Sequence, residues 1–327
     1  MTLMRRSSWP AVLALCVCLP GLVRAQDAPL MEEVREAEDV EDASTSEVTI
    51  VVSRVRQTAG SVHVLDDERL ERFEYDDAHA ILGQVPGAYI RQEDGMGLRP
   101  NIGIRGGNPD RSKKLTLMED GVLFGPAPYS ASAAYFTPLL TRMTSVRVVK
   151  GPSAIGYGPQ TVGGSVDLIT RAIPLGVAAA LDVAVGEYGY TKGHGHFGWS
   201  NAQTGFLVEG ARLSTTGFTE LPSGADTGST RNEWMAKVAH VFDPDAEVYN
   251  RLALKLTYSD EGSNETYLGL TDADLRQSPY RRYPASALDR MDLHRVSIVL
   301  THELEAWSGA LRVRTDVYRH DLDRVWG

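Results

Sequence analysis

The chain has 327 residues, 43% hydrophobic and 23% charged, a balance that fits a globular protein with room for two domains. Its formal net charge of -10 argues against nucleic acid as a partner, because binding phosphates needs a basic surface. The two cysteines, Cys16 and Cys18, lie near the N-terminus, so the rest of the chain can hold neither a disulfide nor a thiolate metal site.

The first 25 residues have the pattern of a secretory signal peptide. Arg5 and Arg6 precede an apolar run over residues 11–19, and Val23-Arg24-Ala25 provides the small-x-small cleavage site. The run is shorter than the roughly 20 residues of a membrane-spanning helix, which disfavours the alternative, a retained anchor. We therefore expect export, with cleavage after Ala25.

Two contrasting segments follow the predicted signal peptide. Residues 26–46 are dense in Asp and Glu and poor in large apolar side chains, so we expect a disordered acidic linker. The next segment is either the first strand of a domain or an extended peptide offered to the sheet edge of a partner, and its place after a disordered linker favours the peptide. It consists of Glu47, Val48, Thr49, Ile50, Val51, Val52 and Ser53.

Residues 61–176 are predicted to form a small α+β domain of short strands interrupted by Gly and Pro. Residues 66–73 and 76–82 have helical patterns, the second ending at Gly83. Residues 115–118 are predicted as a strand that enters a tight turn at Asp120-Gly121.

From residue 177 onward, apolar and polar residues alternate in repeated strand-like segments. Leu252, Leu254 and Leu256 illustrate one apolar face at period two, a pattern that a soluble β-sandwich shares with a membrane barrel. Seven strands are predicted, over residues 178–185, 192–200, 205–213, 233–242, 247–259, 294–305 and 309–320.

The connections between these strands favour a transmembrane antiparallel β-barrel over a sandwich. Odd-numbered connections carry long polar loops, over 215–231 and 260–292, although the first is short; even-numbered connections are tight turns. Aromatic residues suited to the two membrane interfaces fall near strand ends, at Trp199, Trp234, Trp307, Tyr188, Tyr249 and Tyr267. Because a barrel that encloses a plug has about 22 strands, we expect a truncated barrel in this chain.

Two further stretches complete a recognisable pattern. They are RPNIGIRGGNPDRSKKLTLMEDGVLFGPAPY over residues 99–129 and VVKGPSAIGYGPQTVGGSVDLITR over residues 148–171. Together with the signal peptide, EVTIVVS and the barrel strands, they resemble a TonB-dependent outer-membrane receptor of the ferric citrate branch. The resemblance implies that residues 47–53 are the TonB box, 54–176 the plug domain and 177–327 the first part of the barrel.

The resemblance also implies partners, a location and individual residue roles. The partners are TonB of an energy-transducing inner-membrane complex, outer-membrane lipid and an iron chelate carried as cargo, with no cofactor, in the outer membrane of a Gram-negative bacterium. Arg105 matches an IRG motif whose Arg is expected to pair with an acid and hold the plug. Arg147 stands where the family usually has an acid, so we expect a rearranged ion-pair network. The Gly residues of 148–171 would allow the plug backbone close approaches and positive φ angles.

A basic vestibule for an anionic ligand is the predicted binding site. The candidates are cations of the plug and of the loop after the fifth strand, which converge if odd-numbered connections face outward; the alternative is solvated charges on separate surfaces. They are Arg99, Arg105, Arg111, Lys113, Arg281 and Arg282. His194 and His196 share one strand face, but we expect them to face the lumen and not a metal.

The sequence thus predicts a receptor that imports a ferric chelate, with ferric citrate or a related carboxylate siderophore as ligand. Another siderophore, cobalamin or a metal complex would need the same fold. Alternatives of another class are a passive porin or adhesin and a secreted β-rich binding module. No nucleophile–base pair is visible, and Glu119-Asp120-Gly121 fits a turn, so we expect no enzyme activity.

Overall fold

A computed structural model describes residues 61–93, 96–125 and 136–327 of the chain. They form an α+β N-terminal domain followed by a seven-stranded antiparallel sheet. The predicted signal peptide, acidic linker and TonB box lie outside the described residues.

The N-terminal domain is built on a five-stranded sheet of order β1-β6-β7-β4-β5, in which only β4 and β7 pair in parallel. A separate hairpin joins β2 to β3. The elements are β1 Ser61–Leu65, α1 Asp67–Glu71, α2 Ala78–Leu82, β2 Ala88–Arg91, β3 Asn101–Ile104, β4 Leu115–Glu119, β5 Val122–Leu123, β6 Met143–Lys150 and β7 Gly164–Thr170. Leu65, Ile81, Phe136 and Val146 are buried in its core.

Both predicted helices are present, but each is shorter than the sequence indicated. The Asp66 and Asp77 carboxylates accept backbone N–H groups of Arg69 and His79, so these residues cap the helices instead of joining them. Gly83 ends α2 as predicted.

Two glycines between β6 and β7 make the close backbone approaches that the sequence suggested. Gly164 has φ +147, and a Cβ atom on it would lie 2.2 Å from the Val149 carbonyl oxygen. At Gly163 a Cβ would meet Lys114 O at 3.2 Å. Gly156, in the same connection, has open space around it, and at Gly151 the nearest atom is the end of the Arg105 side chain, so the close approaches to backbone are at Gly163 and Gly164.

Gly164→Ala is expected to destabilise the N-terminal domain by about 2–4 kcal/mol, because both the backbone angle and the Val149 carbonyl oppose a side chain. Gly156→Ala, in the same connection, is the control and should stay within about 0.5 kcal/mol of the parent protein. Hydrogen exchange of the β6 and β7 amides measures both; equal protection in the two variants would contradict the steric argument.

The second part of the chain contains all seven predicted strands, paired in chain order from β8 to β14. Most run beyond the predicted ends by a few residues. On β12 the outward side chain of Asp260 is polar like the inward residues beside it, which removes the period-two signal at that end. The strands are β8 Gly176–Val185, β9 Thr191–Ser200, β10 Thr204–Thr215, β11 Ser229–Val241, β12 Tyr249–Ser263, β13 Met291–Ala306 and β14 Leu311–Trp326.

The two faces of this sheet have opposite polarity. On β12 the side chains of Leu252, Leu254 and Leu256 are exposed. Ser259 and Glu261 are on the opposite face, which faces the N-terminal domain, and are buried. An apolar outer face and a polar inner face are the arrangement of a membrane barrel wall.

The exposed apolar belt crosses the strands at an angle. One hydrogen-bonded row runs through Val177, Trp199, Phe206, Val238, Leu254, Leu300 and Val317. On β8 the belt extends from this row toward the C-terminal end of the strand, over residues 177–185. On β14, which runs in the same direction as β8, the belt extends from the row toward the N-terminal end, over residues 317–311. Shifts of eight and six residues over six strand spacings correspond to a strand tilt of roughly 35–43°, within the range for barrel strands.

Connection lengths also agree with the sequence. Residues 216–228 and 264–290 form the long connections on one edge, and 201–203, 242–248 and 307–310 form the short ones on the other. The long connection after β12 holds a short helix, α3 Asp272–Gln277.

Across the three described ranges, no helix combines the length and the hydropathy required to cross a membrane.

Candidate functional site

The inner face of the seven-stranded sheet holds the N-terminal domain through buried ion pairs. Arg142, in the turn before β6, is 1% exposed. Its Nε lies 2.5 Å from Glu233 Oε2 on β11, and its Nη1 lies 3.1 Å from Glu119 Oε1 at the end of β4. One guanidinium thus connects the N-terminal domain to the seven-stranded sheet, which we call the wall.

A lysine of the wall binds the same turn of the N-terminal domain from the other side. Lys255 Nζ on β12 lies 2.7 Å from Glu119 Oε1 and 2.6 Å from Asp120 Oδ2. Asp120 has φ +53 in the predicted tight turn and accepts the N–H and hydroxyl of Thr170 at 2.8 and 2.6 Å. The turn therefore does more than reverse the chain: it presents two carboxylates to the wall.

A second contact extends this network toward the edge with the long connections. Arg99, 4% exposed, pairs with Glu261 on β12 and lies 3.6 Å from Glu265. Arg231 on β11 joins the two contacts, 2.7 Å from Glu233 and 3.5 Å from Glu261. We call the following eight residues the interface cluster: Arg99, Glu119, Asp120, Arg142, Arg231, Glu233, Lys255 and Glu261.

The interface cluster contains four cations and four anions, so its formal charge is balanced. Burial opposes the charged form of Glu119, but Arg142 and Lys255 outweigh burial and hold the pKa of that carboxyl well below its usual range. Lys237 and Lys255 have the same effect on the pKa of Asp120, again against burial. These carboxylates stay ionised at neutral pH, which suits them to hold two parts of the protein together and not to transfer protons.

The predicted ligand-binding cations of the N-terminal domain are distributed over different environments. Arg99 belongs to the interface cluster. Lys113 is exposed and pairs with Asp110 at 2.6 Å. Arg105 and Arg111 are exposed with φ +53 and +50, and the described residues place no carboxylate within ion-pair distance of either.

The expected acid partner of Arg105 is thus not found among the described residues, and Arg142 and Arg99 hold the domain instead. Sequence reasoning missed Arg142, Glu233 and Lys255. Glu233 and Lys255 could have been noticed as charged residues at inward positions of predicted barrel strands. Charged residues at such positions are also typical of a polar lumen, so the sequence did not single them out.

Arg147 does have a rearranged partner. Its guanidinium lies 2.5 Å from the Asp167 carboxylate, directly across the β6–β7 register, and 5.7 Å from the Tyr157 ring centroid. Asp167 Oδ1 also accepts the Gly121 N–H at 2.9 Å. The ion pair therefore remains within the N-terminal domain sheet, with the basic residue on β6 and the acid on β7.

The other two predicted cations lie in the connection over 264–290. Arg281 pairs with Asp274 at 2.9 Å. Arg282 is 6% exposed and donates to the Asn264 carbonyl and to the Ser286 carbonyl, the latter at 2.6 Å. Within the described residues, neither Arg281 nor Arg282 bonds to any of the four N-terminal candidates.

Arg282 also lies where the two long connections join. Its N–H donates to Glu220 O at 2.8 Å, and Glu220 N–H donates to Tyr280 O at 2.7 Å. Asn264 N–H donates to Gly228 O at 2.9 Å. These bonds join connections 216–228 and 264–290 into one folded unit, which we call the loop unit.

Arg282→Ala is expected to lower the free energy needed to open the loop unit by about 2 kcal/mol, because the Asn264 and Ser286 carbonyls lose their buried donor. Proteinase K should then cleave residues 264–290 about 30-fold faster. Arg276→Ala, which removes an exposed guanidinium from the same connection, is the control and should not change the rate. Equal cleavage of the Arg282 variant and the parent would contradict this role.

The two histidines on β9 face the inner side, as predicted. His194 Nε2 lies 2.9 Å from Glu209 Oε1, a carboxylate that Arg171 also approaches at 3.5 Å. No group of three or more His, Cys, Asp or Glu side chains within 61–93, 96–125 and 136–327 is placed to hold a metal ion.

Comparison with known proteins relates this architecture to a family. Residues 54–165 match the family model "TonB-dependent Receptor Plug Domain". The matched span accounts for most of the N-terminal domain and includes the Arg99, Glu119, Asp120 and Arg142 side of the interface cluster.

Solved structures share the fold of both parts. The ferric citrate transporter FecA in its unliganded form is 22% identical, with a TM-score of 0.69 over 84% of this chain and 42% of FecA. The ferric yersiniabactin uptake receptor FyuA from Yersinia pestis is 16% identical, with a TM-score of 0.66 over 82% and 41%. The alcaligin outer-membrane receptor FauA from Bordetella pertussis is 17% identical, with a TM-score of 0.59 over 83% and 40%.

These likenesses confirm the predicted fold class, a plug domain followed by a partial antiparallel barrel wall. The chain spans about 40% of the length of the proteins it matches. The matching family model describes a receptor domain, in agreement with the prediction that the chain is not an enzyme.

Proposed function

We propose that this chain, with a TonB-dependent receptor plug domain over residues 54–165, acts within an outer-membrane receptor of a Gram-negative bacterium that imports an anionic ferric chelate. The interface cluster carries the proposal. Its buried, charge-balanced ion pairs hold a plug against the polar inner face of a wall whose outer face is apolar. Such a plug blocks free diffusion and must move or deform for cargo to pass.

The work of such a receptor is conformational. Residues 47–53 are proposed to pair with TonB by strand addition, in which a partner's sheet edge supplies the backbone hydrogen bonds. Force on this segment would reach β1 first, because β1 begins at Ser61 and, among the described residues, is an edge strand of the plug sheet that pairs with β6.

We propose ferric citrate or a related carboxylate siderophore as the chelate. Ferric citrate is the ligand that the resemblance of the plug sequence favours, and the FecA title names ferric citrate for that protein. FyuA and FauA, whose titles name yersiniabactin and alcaligin, share the fold to a similar extent. Because the fold is common to receptors of different chelates, the fold does not select among them.

The rival functions predict different arrangements. A passive porin needs an open lumen. Here the interface cluster holds the N-terminal domain against the inner face of the seven-stranded sheet. A secreted binding module would expose polar outward residues along its strands, whereas Leu252, Leu254 and Leu256 are exposed in a continuous belt.

Growth tests the proposed function. A strain without the gene, the same strain complemented with the gene and a matched empty-vector control are starved of iron and supplied with ferric dicitrate or a ferric aryl chelate. The same strains are grown separately, with sufficient iron, in a medium in which growth requires cobalamin. We expect the gene to restore growth on one of the two ferric sources. Gene-dependent growth in the cobalamin medium and on neither ferric source, or recovery of the protein from the soluble periplasm, would contradict the proposal.

A further inference from the structure

A histidine of the wall holds one edge of the plug at a point outside the interface cluster. His320 lies on the inner face of β14, opposite Ser297 in the β13–β14 register. Its Nε2 lies 2.8 Å from the carbonyl oxygen of Leu123, the last residue of β5. Because a carbonyl only accepts, Nε2 carries a proton and donates it to Leu123. Among the described residues β5 pairs with β4 over two residues, so the wall contributes to holding this edge strand.

An arginine of the neighbouring strand determines the state of the other ring nitrogen. Nη2 of Arg295 on β13 donates to His320 Nδ1 over 3.2 Å. A guanidinium has no acceptor, so Nδ1 must present its lone pair. Ser297 Oγ lies 2.8 Å from the same nitrogen. The contacts therefore fit a neutral imidazole with its proton on Nε2.

The charge of Arg295 has little local compensation. Arg295 is 3% exposed, and no carboxylate of the described residues lies within ion-pair distance of its guanidinium. Its guanidinium carbon lies 4.4 Å from the ring centroid of Phe136, a fully buried residue of the plug. Arg295 thus contacts the plug through an aromatic ring and the wall through the imidazole of His320. A second cation beside it would be costly, because burial weakens the solvation of both charges.

The other titratable groups around the imidazole keep their charge states in mild acid. Glu119 and Lys255 of the interface cluster act on the ring with opposite sign and are paired with each other at 2.7 Å. On β14 the neighbours of His320 on the same face are Tyr318, whose ring centroid is 5.1 Å away, and Leu322. A paired carboxylate titrates well below pH 5, and ammonium and phenol groups titrate near pH 10. His320 is therefore the group in this contact whose charge can change near neutral pH.

We propose that His320 and Arg295 form a proton-sensitive latch between the wall and the plug. The neutral imidazole holds the Leu123 carbonyl and accepts from Arg295. Ser297 Oγ can accept a proton placed on Nδ1, but that proton removes the acceptor of Arg295 and sets two cations 3.2 Å apart in a buried site. Acid thereby releases β5 and Phe136 from the wall. The inference rests on the proposed function and deepens it, because it assigns a regulation to the plug of that receptor.

Acid weakens the latch because the latched and released states bind protons differently. The latched ring resists a second proton, whereas a released imidazole titrates with an ordinary pKa of about 6.5. The latch is therefore fully effective above about pH 7 and is lost progressively as the pH falls below about 6.5. At about pH 5.5 protonation favours the released state about tenfold, so we expect opening to increase about five- to tenfold.

Hydrogen exchange of the purified receptor, as its gene encodes it and without ligand, measures the opening of β5. The protection of residues 119–125 is compared at about pH 7.5 and about pH 5.5, after correction for the intrinsic pH dependence of exchange. His320→Gln keeps an N–H group for the plug carbonyl but does not titrate, and Arg295→Met removes the opposing charge. His240→Gln is the matched control, because His240 is an exposed histidine that hydrogen-bonds to Thr204 of the wall.

In the parent protein and in His240→Gln, we expect the protection of residues 119–125 to fall about five- to tenfold in acid. In His320→Gln and Arg295→Met it should change less than about twofold, because the first variant has no titrating ring and the second lets Ser297 accept the added proton. Equal protection of the parent at the two pH values, or an acid loss that persists in either latch variant, would overturn the latch. A receptor that shows the acid response but imports no ferric chelate would overturn the proposed function and leave the latch in place.

Discussion

Replacing Arg142 with methionine should lower the stability of the plug in the receptor by about 3 kcal/mol. The substitution leaves Glu119 and Glu233 buried without the guanidinium that lies 3.1 and 2.5 Å from them. Breaking one side of a buried ion pair typically costs about 3–5 kcal/mol; Lys255 and Arg231, which still contact these carboxylates, place the expected loss at the lower end.

A single cysteine reports the unfolding of the plug. Within these 327 residues the cysteines are Cys16 and Cys18, both in the predicted signal peptide. Val162→Cys on the exposed plug surface therefore provides a labelling site once any cysteine outside these residues is replaced by serine. A fluorophore at this position is followed through a urea titration of the receptor, and the midpoint gives the change in stability.

Two variants control this experiment. Arg72→Met removes an exposed ion pair with Glu68 and should leave the urea midpoint nearly unchanged. Combining Arg142→Met with Glu233→Gln should recover part of the loss, because one buried charge is then removed along with its partner. A midpoint for Arg142→Met equal to that of the parent would show that the interface cluster does not hold the plug.

Ile50→Pro should abolish uptake of the chelate and leave binding at the cell surface unchanged. Proline cannot donate the backbone hydrogen bond that an added strand needs, and residue 50 precedes the plug and the outward-facing loops in the chain. Cells carrying the variant are incubated with the radioactive ferric chelate, and bound and imported iron are counted separately.

Ala37→Pro, in the predicted disordered linker, is the control for a proline upstream of the plug and should transport at the parental rate. Transport by Ile50→Pro at that same rate would show that residues 47–53 are a strand of the plug domain and not a segment recognised by TonB.

The order and type of the elements could be predicted from the sequence because local signals determine them. Period-two alternation located all seven wall strands, and Asp-Gly at 120–121 located the turn after β4. The strand ends were less predictable. At the end of β12, beyond the apolar belt, the outward side chain of Asp260 is polar like the inward Ser259 and Glu261, so alternation no longer distinguishes the two faces there.

The sites depended on contacts between residues far apart in the chain. Arg142 and Glu233 are 91 positions apart, and Arg99 and Glu261 are 162 apart. A run of cations in the sequence predicts a basic surface. A cationic side chain can bind a ligand, however, only if it is not already paired with a carboxylate or a carbonyl of the protein. Arg99 and Arg282 are used internally, and the sequence contained no local sign of that.

The sequence by itself thus determined the fold class, because hydrophobic periodicity, turn residues and loop lengths act within a few residues of one another. Only the tertiary structure decided which charges hold the plug and which remain exposed. Burial and ion pairing depend on the side chains that folding brings within about 4 Å, and at that distance a charge's environment is set by its spatial neighbours instead of its neighbours in sequence. Arg111 remained exposed, whereas Arg99, twelve residues earlier, became part of the contact with the seven-stranded sheet.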